Sequence, residues 1–122
     1  MSENQKEDCD RLFTYGTLQS GYSRNYLLRG LEFKEAVLPG YRKISPPELG
    51  FPFIIQDQES NVSGEIYFRL TQAHWTQIDL VEGEGSLYHR ILVEVKTIPK
   101  GLKYQTFTYY PSTGLISQYG EK

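Results

Sequence analysis

The sequence has little of what marks secreted, redox-active or membrane-embedded proteins. Its 122 residues include one cysteine, Cys9, which excludes an intramolecular disulfide and every CxxC-type redox or metal motif. No apolar stretch approaches the roughly 20 residues that a membrane-spanning helix requires. Residues 1–8 are polar and acidic, which is the opposite of a secretory signal peptide. These absences predict a cytoplasmic protein with no membrane partner.

Positive charge is also scarce, and the motifs of several enzyme classes are missing. The chain has 13 Lys and Arg against 15 Asp and Glu, and its basic residues are scattered singly, which excludes a basic surface for nucleic acid. Its two histidines, His74 and His89, have no third metal-binding residue at a suitable spacing. The G-x-S-x-G, P-loop and G-x-G-x-x-G motifs do not occur. The sequence therefore predicts neither a metal site nor a nucleic-acid partner.

Tyrosine, by contrast, is abundant. Aromatic residues make up 14% of the chain and ten of them are tyrosines, which favours strands and a pocket with hydroxyl-bearing walls. A chain of 122 residues is long enough for one domain with its own core. We expect that single domain at 11–122, after a disordered leader at 1–10.

Hydrophobic periodicity predicts an α+β fold. Alternating apolar and polar residues indicate about six strands, at 11–15, 33–41, 51–56, 62–70, 88–97 and 103–110, with a turn at 57–61 between the third and the fourth. A short helix is expected at 24–29, and a longer one at 72–82, between Thr71 as N-cap and Gly83 as stop signal. Mostly antiparallel strands with two short helices predict a curled sheet or a small mixed β-barrel.

The first functional candidate is the segment Leu12-Phe13-Thr14-Tyr15-Gly16-Thr17-Leu18. It runs as a short apolar strand and breaks at Gly16, because glycine can adopt a positive φ and lets a ligand approach the main chain. Successive backbone N–H groups in such a turn form a site for an anion. The alternative interpretation is an ordinary strand that ends in a turn.

The second functional candidate is a carboxylate at the end of the helix predicted at 72–82. At about 100° per residue, Glu82 falls about 20° from Trp75, within the apolar face that also contains Ile78. Burial raises the pKa of a carboxyl group, which makes it a proton acceptor and donor near neutral pH. Glu82 is therefore the preferred acid/base candidate and Glu84 the second. A solvated residue at a helix end is the alternative interpretation.

Four short segments resemble motifs of the γ-glutamylcyclotransferase-like family, and they occur along the chain in the same order as in that family. The resemblance is to the branch that includes γ-glutamylamine cyclotransferase and small AIG2-like proteins. The segment Phe13-Thr14-Tyr15-Gly16-Thr17-Leu18 resembles the Tyr-Gly-[Ser/Thr]-Leu signature, and Gly64-Glu65-Ile66-Tyr67 resembles the G-E-[VI]-Y strand. Ile78-Asp79-x-x-Glu82 is similar to the L-D-x-x-E helix end. Leu87-Tyr88-x-Arg90 with Val93-x-Val95 closes the match, which covers residues 11–110.

The resemblance implies a compact mixed barrel with a cavity and an enzyme that releases 5-oxoproline. In the family reaction, the α-amine of a γ-glutamyl group attacks its own γ-carbonyl and expels an amine. By this resemblance the substrate loop consists of Tyr15, Gly16, Thr17 and Leu18. Its backbone N–H groups would hold the glutamyl carboxylate. Glu82 would take a proton from the α-ammonium and return one to the leaving amine, without a metal or an organic cofactor.

The same resemblance assigns secondary roles to tyrosines. Tyr88 is expected to position the substrate, and one of Tyr109 or Tyr110 is expected to line the cavity. The six-residue spacing from Glu82 to Tyr88 agrees with the γ-glutamylamine branch. That spacing favours Glu82 over Glu84 as the acid/base residue.

The implied partner is a small γ-glutamyl compound. Glutathione, γ-glutamyl amino acids, γ-glutamyl-lysine and a glutamylated biosynthetic intermediate are alternatives, and the loop at 45–50 is expected to rim the cavity and select among them. The sequence is compatible with a monomer and with a homodimer. The competing hypothesis is a non-catalytic module that binds a carboxylate ligand on the same fold.

Overall fold

Five β-strands, two α-helices and one 3-10 helix form the part of the chain that the structure, a computed structural model, describes. The described residues are 10–16, 18–22, 24–48, 52–82 and 88–119. The strands are β1 (Leu12–Thr14), β2 (Phe33–Ile44), β3 (Phe53–Tyr67), β4 (Tyr88–Thr97) and β5 (Lys103–Pro111). The helices are α1 (Gln72–Glu82), α2 (Thr113–Tyr119) and the 3-10 helix Asn25–Leu28. The leader expected at 1–10, with Cys9, lies outside the described residues except for Asp10.

The strands close into a barrel in the order β1-β3-β2-β4-β5. Neighbouring strands are antiparallel, except that β1 and β5 are parallel. This architecture confirms the predicted α+β fold with a small, mixed and mostly antiparallel barrel. The bounds predicted for α1 and β4 are confirmed to the residue.

The described part of the chain has one strand fewer than predicted because β3 continues through the predicted turn. Its pairing with β2 skips residues 57–60, which bulge out opposite Gly40. The carboxylate of Asp57 accepts hydrogen bonds from the Glu59 backbone N–H (3.1 Å) and the Ser60 hydroxyl (3.0 Å). These residues therefore have the turn chemistry that the sequence indicated, while the strand is paired on either side of them.

Alternate residues along the strands form two separate apolar clusters. The inner cluster comes from one face of the sheet and fills the barrel; it consists of Phe13, Tyr15, Ala36, Leu38, Ile54, Val62, Ile66, Val93 and Val95. The outer cluster joins the opposite face to the helices; it consists of Leu12, Leu18, Leu28, Phe53, Tyr67, Leu70, Trp75, Ile78, Tyr88, Phe107, Tyr109 and Leu115. The segments singled out by sequence thus contribute to both sides of the sheet.

Closure of the barrel depends on a glycine in β3. A Cβ atom built on Gly64 would lie 2.1 Å from the carbonyl oxygen of Thr14 and 2.7 Å from Cζ of Phe13. No side chain fits at these distances. Gly64 therefore lets β1 approach β3 closely enough to pair in the register Thr14↔Glu65.

Helix α1 covers the outer cluster with its apolar face. It begins at the predicted cap, where the His74 N–H donates to Thr71 Oγ1 (3.4 Å) and the Thr71 N–H donates to His74 Nδ1 (3.0 Å). Trp75 and Ile78 are buried, and Trp75 packs edge-on against Phe107 of β5 with 5.4 Å between ring centroids. Packing and capping together therefore fix where this helix begins and which face it buries.

The two shorter helices differ from the prediction. The first predicted helix is a single turn of 3-10 helix, after which the chain reverses at Gly30 with φ of 85°. Helix α2 was not predicted. Its first turn is capped by the Ser112 hydroxyl, which accepts a hydrogen bond of 3.3 Å from the Leu115 N–H, and Leu115 is buried in the outer cluster.

Candidate active site

The loop after β1 is held on two sides at its first residue. The side chain of Tyr15 is buried, and its hydroxyl donates a hydrogen bond of 2.6 Å to the carbonyl oxygen of Tyr109 in β5. The carbonyl oxygen of Tyr15 accepts a hydrogen bond of 3.0 Å from Lys43 Nζ on β2. The loop therefore begins at a fixed residue with a positive charge beside it.

Gly16 lies directly against Pro52, the residue before β3. A Cβ atom built on Gly16 would be 3.1 Å from Pro52 Cγ, which is tighter than ordinary packing. The carbonyl oxygen of Pro52 accepts a hydrogen bond of 2.7 Å from the hydroxyl of Tyr88 in β4. Tyr88 thus reaches the loop region through Pro52. Of the rim loop expected at 45–50, the structure describes residues 45–48.

The end of the loop is anchored to the 3-10 helix. The Gln19 N–H donates a hydrogen bond of 3.0 Å to the carbonyl oxygen of Gly16, which closes a turn. Leu18 is buried in the outer cluster, and its carbonyl oxygen accepts a hydrogen bond of 2.8 Å from Asn25 Nδ2. Thr17, between these fixed residues, lies outside the described residues.

The preferred acid/base candidate, Glu82, is the last residue of α1. Its side chain lies outside the described residues, as do residues 83–87 with the alternative candidate Glu84. The choice between the two carboxylates stays a prediction. What the structure describes is how the final turn of this helix is held.

That final turn is fixed by Asp79, three residues before Glu82 in the sequence. The two carboxylate oxygens of Asp79 accept hydrogen bonds from the Tyr109 hydroxyl (2.5 Å) and from Arg90 Nη2 (3.1 Å). Tyr109 and Arg90 are directly opposite each other in the pairing of β5 with β4. The end of α1 is therefore attached to two neighbouring strands at one level of the barrel.

Arg90 lies between α1 and the sheet, covered by aromatic rings. Its guanidinium is 4.6 Å from the ring centroid of Trp75 and 4.9 Å from that of Phe107. Cation–π contacts of this kind attract the guanidinium to the faces of the rings. Its Nε is buried and has no hydrogen-bond partner among the described residues. Arg90 therefore provides a fixed positive charge that holds the Asp79 carboxylate in place.

Tyr109 connects the two candidate segments. Its carbonyl oxygen accepts the hydrogen bond from Tyr15, and its hydroxyl donates to Asp79. One residue of β5 thus ties the start of the loop to the helix turn that ends at Glu82. Tyr110, the other tyrosine expected to line a cavity, packs against the inner cluster, where burial raises the pKa of its hydroxyl.

Sequence reasoning did not predict Asp79, Arg90 and Tyr109 as a unit. Asp79 and Arg90 lie in segments that carry the family resemblance, but their contact depends on the register between β4 and β5. One signal was available: strand alternation places Tyr88 and Arg90 on the same face, which is the face covered by α1. A carboxylate on that helix was therefore a natural partner for Arg90.

Two further findings concern metal ions and membranes in the part of the chain that the structure describes. No three His, Cys, Asp or Glu side chains come together there in a group able to hold a metal ion. None of the helices there has the length and apolar character needed to cross a membrane.

Comparisons with known proteins bear on the family and on the fold. The model of the family described as gamma-glutamyl cyclotransferase, AIG2-like, matches residues 12–120. A curated relative, AIG2-like protein B of Arabidopsis thaliana, is 28% identical over 110 residues, which are 89% of this chain and 63% of that protein. The chain thus spans less than two thirds of the length of this relative.

Solved structures share the fold. A protein of Arabidopsis thaliana solved in solution superimposes with a TM-score of 0.76 at 23% identity, over 93% of this chain and 75% of that one. A gamma-glutamyl cyclotransferase superimposes with a TM-score of 0.68 at 19% identity, over 86% of this chain and 68% of that one. At these identities the likeness establishes a common fold.

Proposed function

Because this chain belongs to the AIG2-like family of γ-glutamyl cyclotransferases, we propose that it is an enzyme that converts a γ-glutamyl amine or peptide into 5-oxoproline and a free amine. The proposed catalytic residue is Glu82. The proposed substrate loop is formed by Tyr15, Gly16, Thr17 and Leu18. The family assignment supports the class of reaction, and the contacts around the loop and the helix end support these residue roles.

The observation that carries this proposal is the link through Tyr109. Its bonds to Tyr15 and Asp79 set the position of the loop relative to the last turn of α1. A substrate that cyclises on itself must be held curled, with its carboxylate at one fixed point and its amine at another. A rigid connection between an anion-binding loop and a base is therefore what the proposed chemistry requires.

The proposed reaction balances within the substrate. The α-amino nitrogen forms a bond to the γ-carbonyl carbon, and the bond from that carbon to the leaving amine breaks. The α-ammonium gives up two protons, and the departing amine gains two as it leaves as an ammonium ion. Glu82 carries these protons as general base and then as general acid.

The loop contributes binding in this proposal. Backbone N–H groups between Gly16 and Leu18 bind the α-carboxylate of the glutamyl group. The ammonium of Lys43, 3.0 Å from the carbonyl oxygen of Tyr15, adds a positive charge beside that site. Tyr88 acts as a positioning residue, because its hydroxyl is bonded to Pro52 and so fixes the wall that Gly16 packs against.

The proposal is tested by following 5-oxoproline by mass spectrometry. The purified protein is incubated with glutathione, γ-glutamyl amino acids, γ-glutamyl-lysine and simple γ-glutamyl amines. The variants Glu82→Gln and Glu84→Gln form a matched pair, since each removes one charge near the helix end. We expect product from the wild type and from Glu84→Gln, and a rate at least about 100-fold lower from Glu82→Gln.

Other outcomes separate the alternatives. A loss of rate confined to Glu84→Gln would move the acid/base role to Glu84 and leave the reaction class intact. Saturable binding of 5-oxoproline with no turnover of any substrate would contradict catalysis. That result would favour the competing function, a module that binds a small carboxylate ligand.

A further inference from the structure

Glu65 of β3 binds a single loop residue with both of its carboxylate oxygens. Oε1 accepts a hydrogen bond of 2.7 Å from the backbone N–H of Ser20, and Oε2 accepts one of 2.7 Å from the Ser20 hydroxyl. The Tyr67 hydroxyl also donates to Oε1 at 2.9 Å. Hydrogen bonds to an ionised carboxylate are among the strong ones in proteins. Two of them on one residue fix both its position and its orientation.

A second contact holds the same loop two residues earlier. Asn25 Nδ2 donates both to the carbonyl oxygen of Leu18 (2.8 Å) and to the hydroxyl of Tyr67 (2.9 Å). Tyr67 is itself buried and stacked on Phe33 with 4.9 Å between ring centroids, so its hydroxyl has a fixed position. One connected set of hydrogen bonds therefore holds the loop at Leu18 and at Ser20.

We propose that Glu65 is a positioning residue that holds the substrate loop, through Ser20, in the shape that binds the substrate carboxylate. This inference rests on the proposed function. Glu65 does not need to touch the substrate, because Ser20 and Tyr67 already occupy its two oxygens. Its loss should therefore weaken substrate binding more than it slows the chemical step.

The choice of a carboxylate at position 65 follows from its surroundings. Three donors converge on it: the Ser20 N–H, the Ser20 hydroxyl and the Tyr67 hydroxyl. An ionised carboxylate only accepts hydrogen bonds, whereas the amide of glutamine has one accepting oxygen and a donating nitrogen. Glu65→Gln should therefore keep part of the hydrogen bonding to Ser20, and Glu65→Ala should lose all of it.

The test combines loop dynamics with kinetics on Glu65→Ala, Glu65→Gln and a control, Glu94→Ala. Glu94 is an exposed residue of β4, with Lys103 at 3.9 Å. Amide hydrogen exchange of the Ser20 N–H should become about tenfold faster or more in Glu65→Ala. KM for a γ-glutamyl substrate should rise about tenfold while kcat stays within about threefold. Glu65→Gln should be intermediate, and Glu94→Ala should match the wild type.

Each result bears on the inference separately from the proposed function. If the exchange rate of the Ser20 N–H is unchanged in Glu65→Ala, Glu65 does not hold the loop, whether or not the protein is an enzyme. If exchange becomes faster but KM is unchanged, Glu65 has no role in substrate binding. A lower kcat with unchanged KM would contradict that role as well. If the wild type forms no product, the proposed enzyme fails, and the affinity for 5-oxoproline measured by calorimetry replaces KM. If the alanine variant does not fold, the same measurements are made on Glu65→Gln, which keeps the side-chain volume.

Discussion

The inner and outer clusters of the sheet are built on different principles. Inside the barrel, residues such as Ile66 and Val95 are fully buried and have no polar side-chain atoms. On the outside, Tyr67, Tyr88 and Tyr109 are also buried, but each donates a hydrogen bond from its hydroxyl to another group. Apart from Tyr15, whose hydroxyl bonds the carbonyl oxygen of Tyr109, the inner cluster therefore contributes apolar packing, while the outer cluster adds hydrogen bonds of fixed geometry.

The difference follows from what holds each part in place. Strands in the barrel are already aligned by backbone hydrogen bonds, so apolar packing suffices between them. Helix α1 and the loop after β1 have no such ladder to the sheet. The tyrosine hydroxyls, with Asp79 and Glu65, supply the specific contacts that these elements lack. Changes to the apolar residues inside should thus reduce stability, and changes to the polar contacts outside should reduce activity.

The largest effect is expected from Gly64→Ala, which tests whether the barrel interior tolerates any added atom. The new methyl group would lie 2.1 Å from the carbonyl oxygen of Thr14. Relieving this clash requires a shift of the backbone, which costs more free energy than a shift of a side chain. We expect the free energy of unfolding in urea to fall by about 3 kcal/mol or more. Gly114→Ala in α2 is the matched control, because its nearest contact would be Ser112 Oγ at 3.8 Å. Equal stability of the two variants would contradict the close approach of β1 and β3.

Val95→Ala tests the inner cluster without disturbing the backbone. Two buried methyl groups are removed from a fully buried site, so we expect a loss of about 2 kcal/mol in the free energy of unfolding. The kcat/KM for 5-oxoproline formation should stay within about twofold at a temperature where the variant is folded. A parallel loss of activity would show that the inner cluster also orients the site.

Asp79→Asn tests the outer cluster. The asparagine amide would present a donor to either Arg90 or Tyr109, both of which now donate to the carboxylate. The paired side chains of Asp79 and Arg90 are 22% and 26% exposed, so we expect a modest stability loss of about 1 kcal/mol. The rate of 5-oxoproline formation should fall tenfold or more as the helix end shifts. Full activity in this variant would show that the proposed reaction does not depend on the Asp79 hydrogen bonds.

The smallest effect is expected from Tyr67→Phe, and it should emerge at alkaline pH. Burial and then the hydrogen bond to Glu65 raise the pKa of Tyr67 above its ordinary value of 10.0. The unfolded chain ionises this tyrosine near that value while the folded protein keeps it protonated, so stability falls as pH rises above about 10. Tyr67→Phe should therefore show a shallower loss of unfolding free energy above pH 10 than the wild type. Tyr26→Phe, at an exposed tyrosine, should keep the wild-type slope.

The fold was predictable where the signal lies within one segment. Helix α1 was predicted to the residue because a cap at Thr71 and an apolar face are both local patterns. The bulge at 57–60 was misread as a turn between strands, because Asp57 supplies turn chemistry while the sheet continues around it. Helix α2 was missed because its anchor, Leu115, is identified only by what it packs against.

The candidate site was predictable in its segments but not in its contacts. The loop and Glu82 were predicted from short motifs, each only a few residues long, that follow one another in the order typical of the family. Ser20 and Glu65 are separated by 45 residues, and Tyr15 and Tyr109 by 94. Such pairs meet only because the barrel has a particular register, which no single segment of the chain contains.

The position of β1 has a consequence for biosynthesis. The neighbour of this strand on one side, β5, is synthesised almost a hundred residues after it. The hydroxyl of Thr108 in β5 donates a hydrogen bond to the carbonyl oxygen of Phe13 across a separation of 95 residues. A nascent chain therefore cannot close its barrel until β5 is available, and such long-range closure is typically slow. The bond from Tyr15 to Tyr109 forms in the same event. A partly synthesised chain therefore lacks this link between the two halves of the candidate active site until β5 has been made.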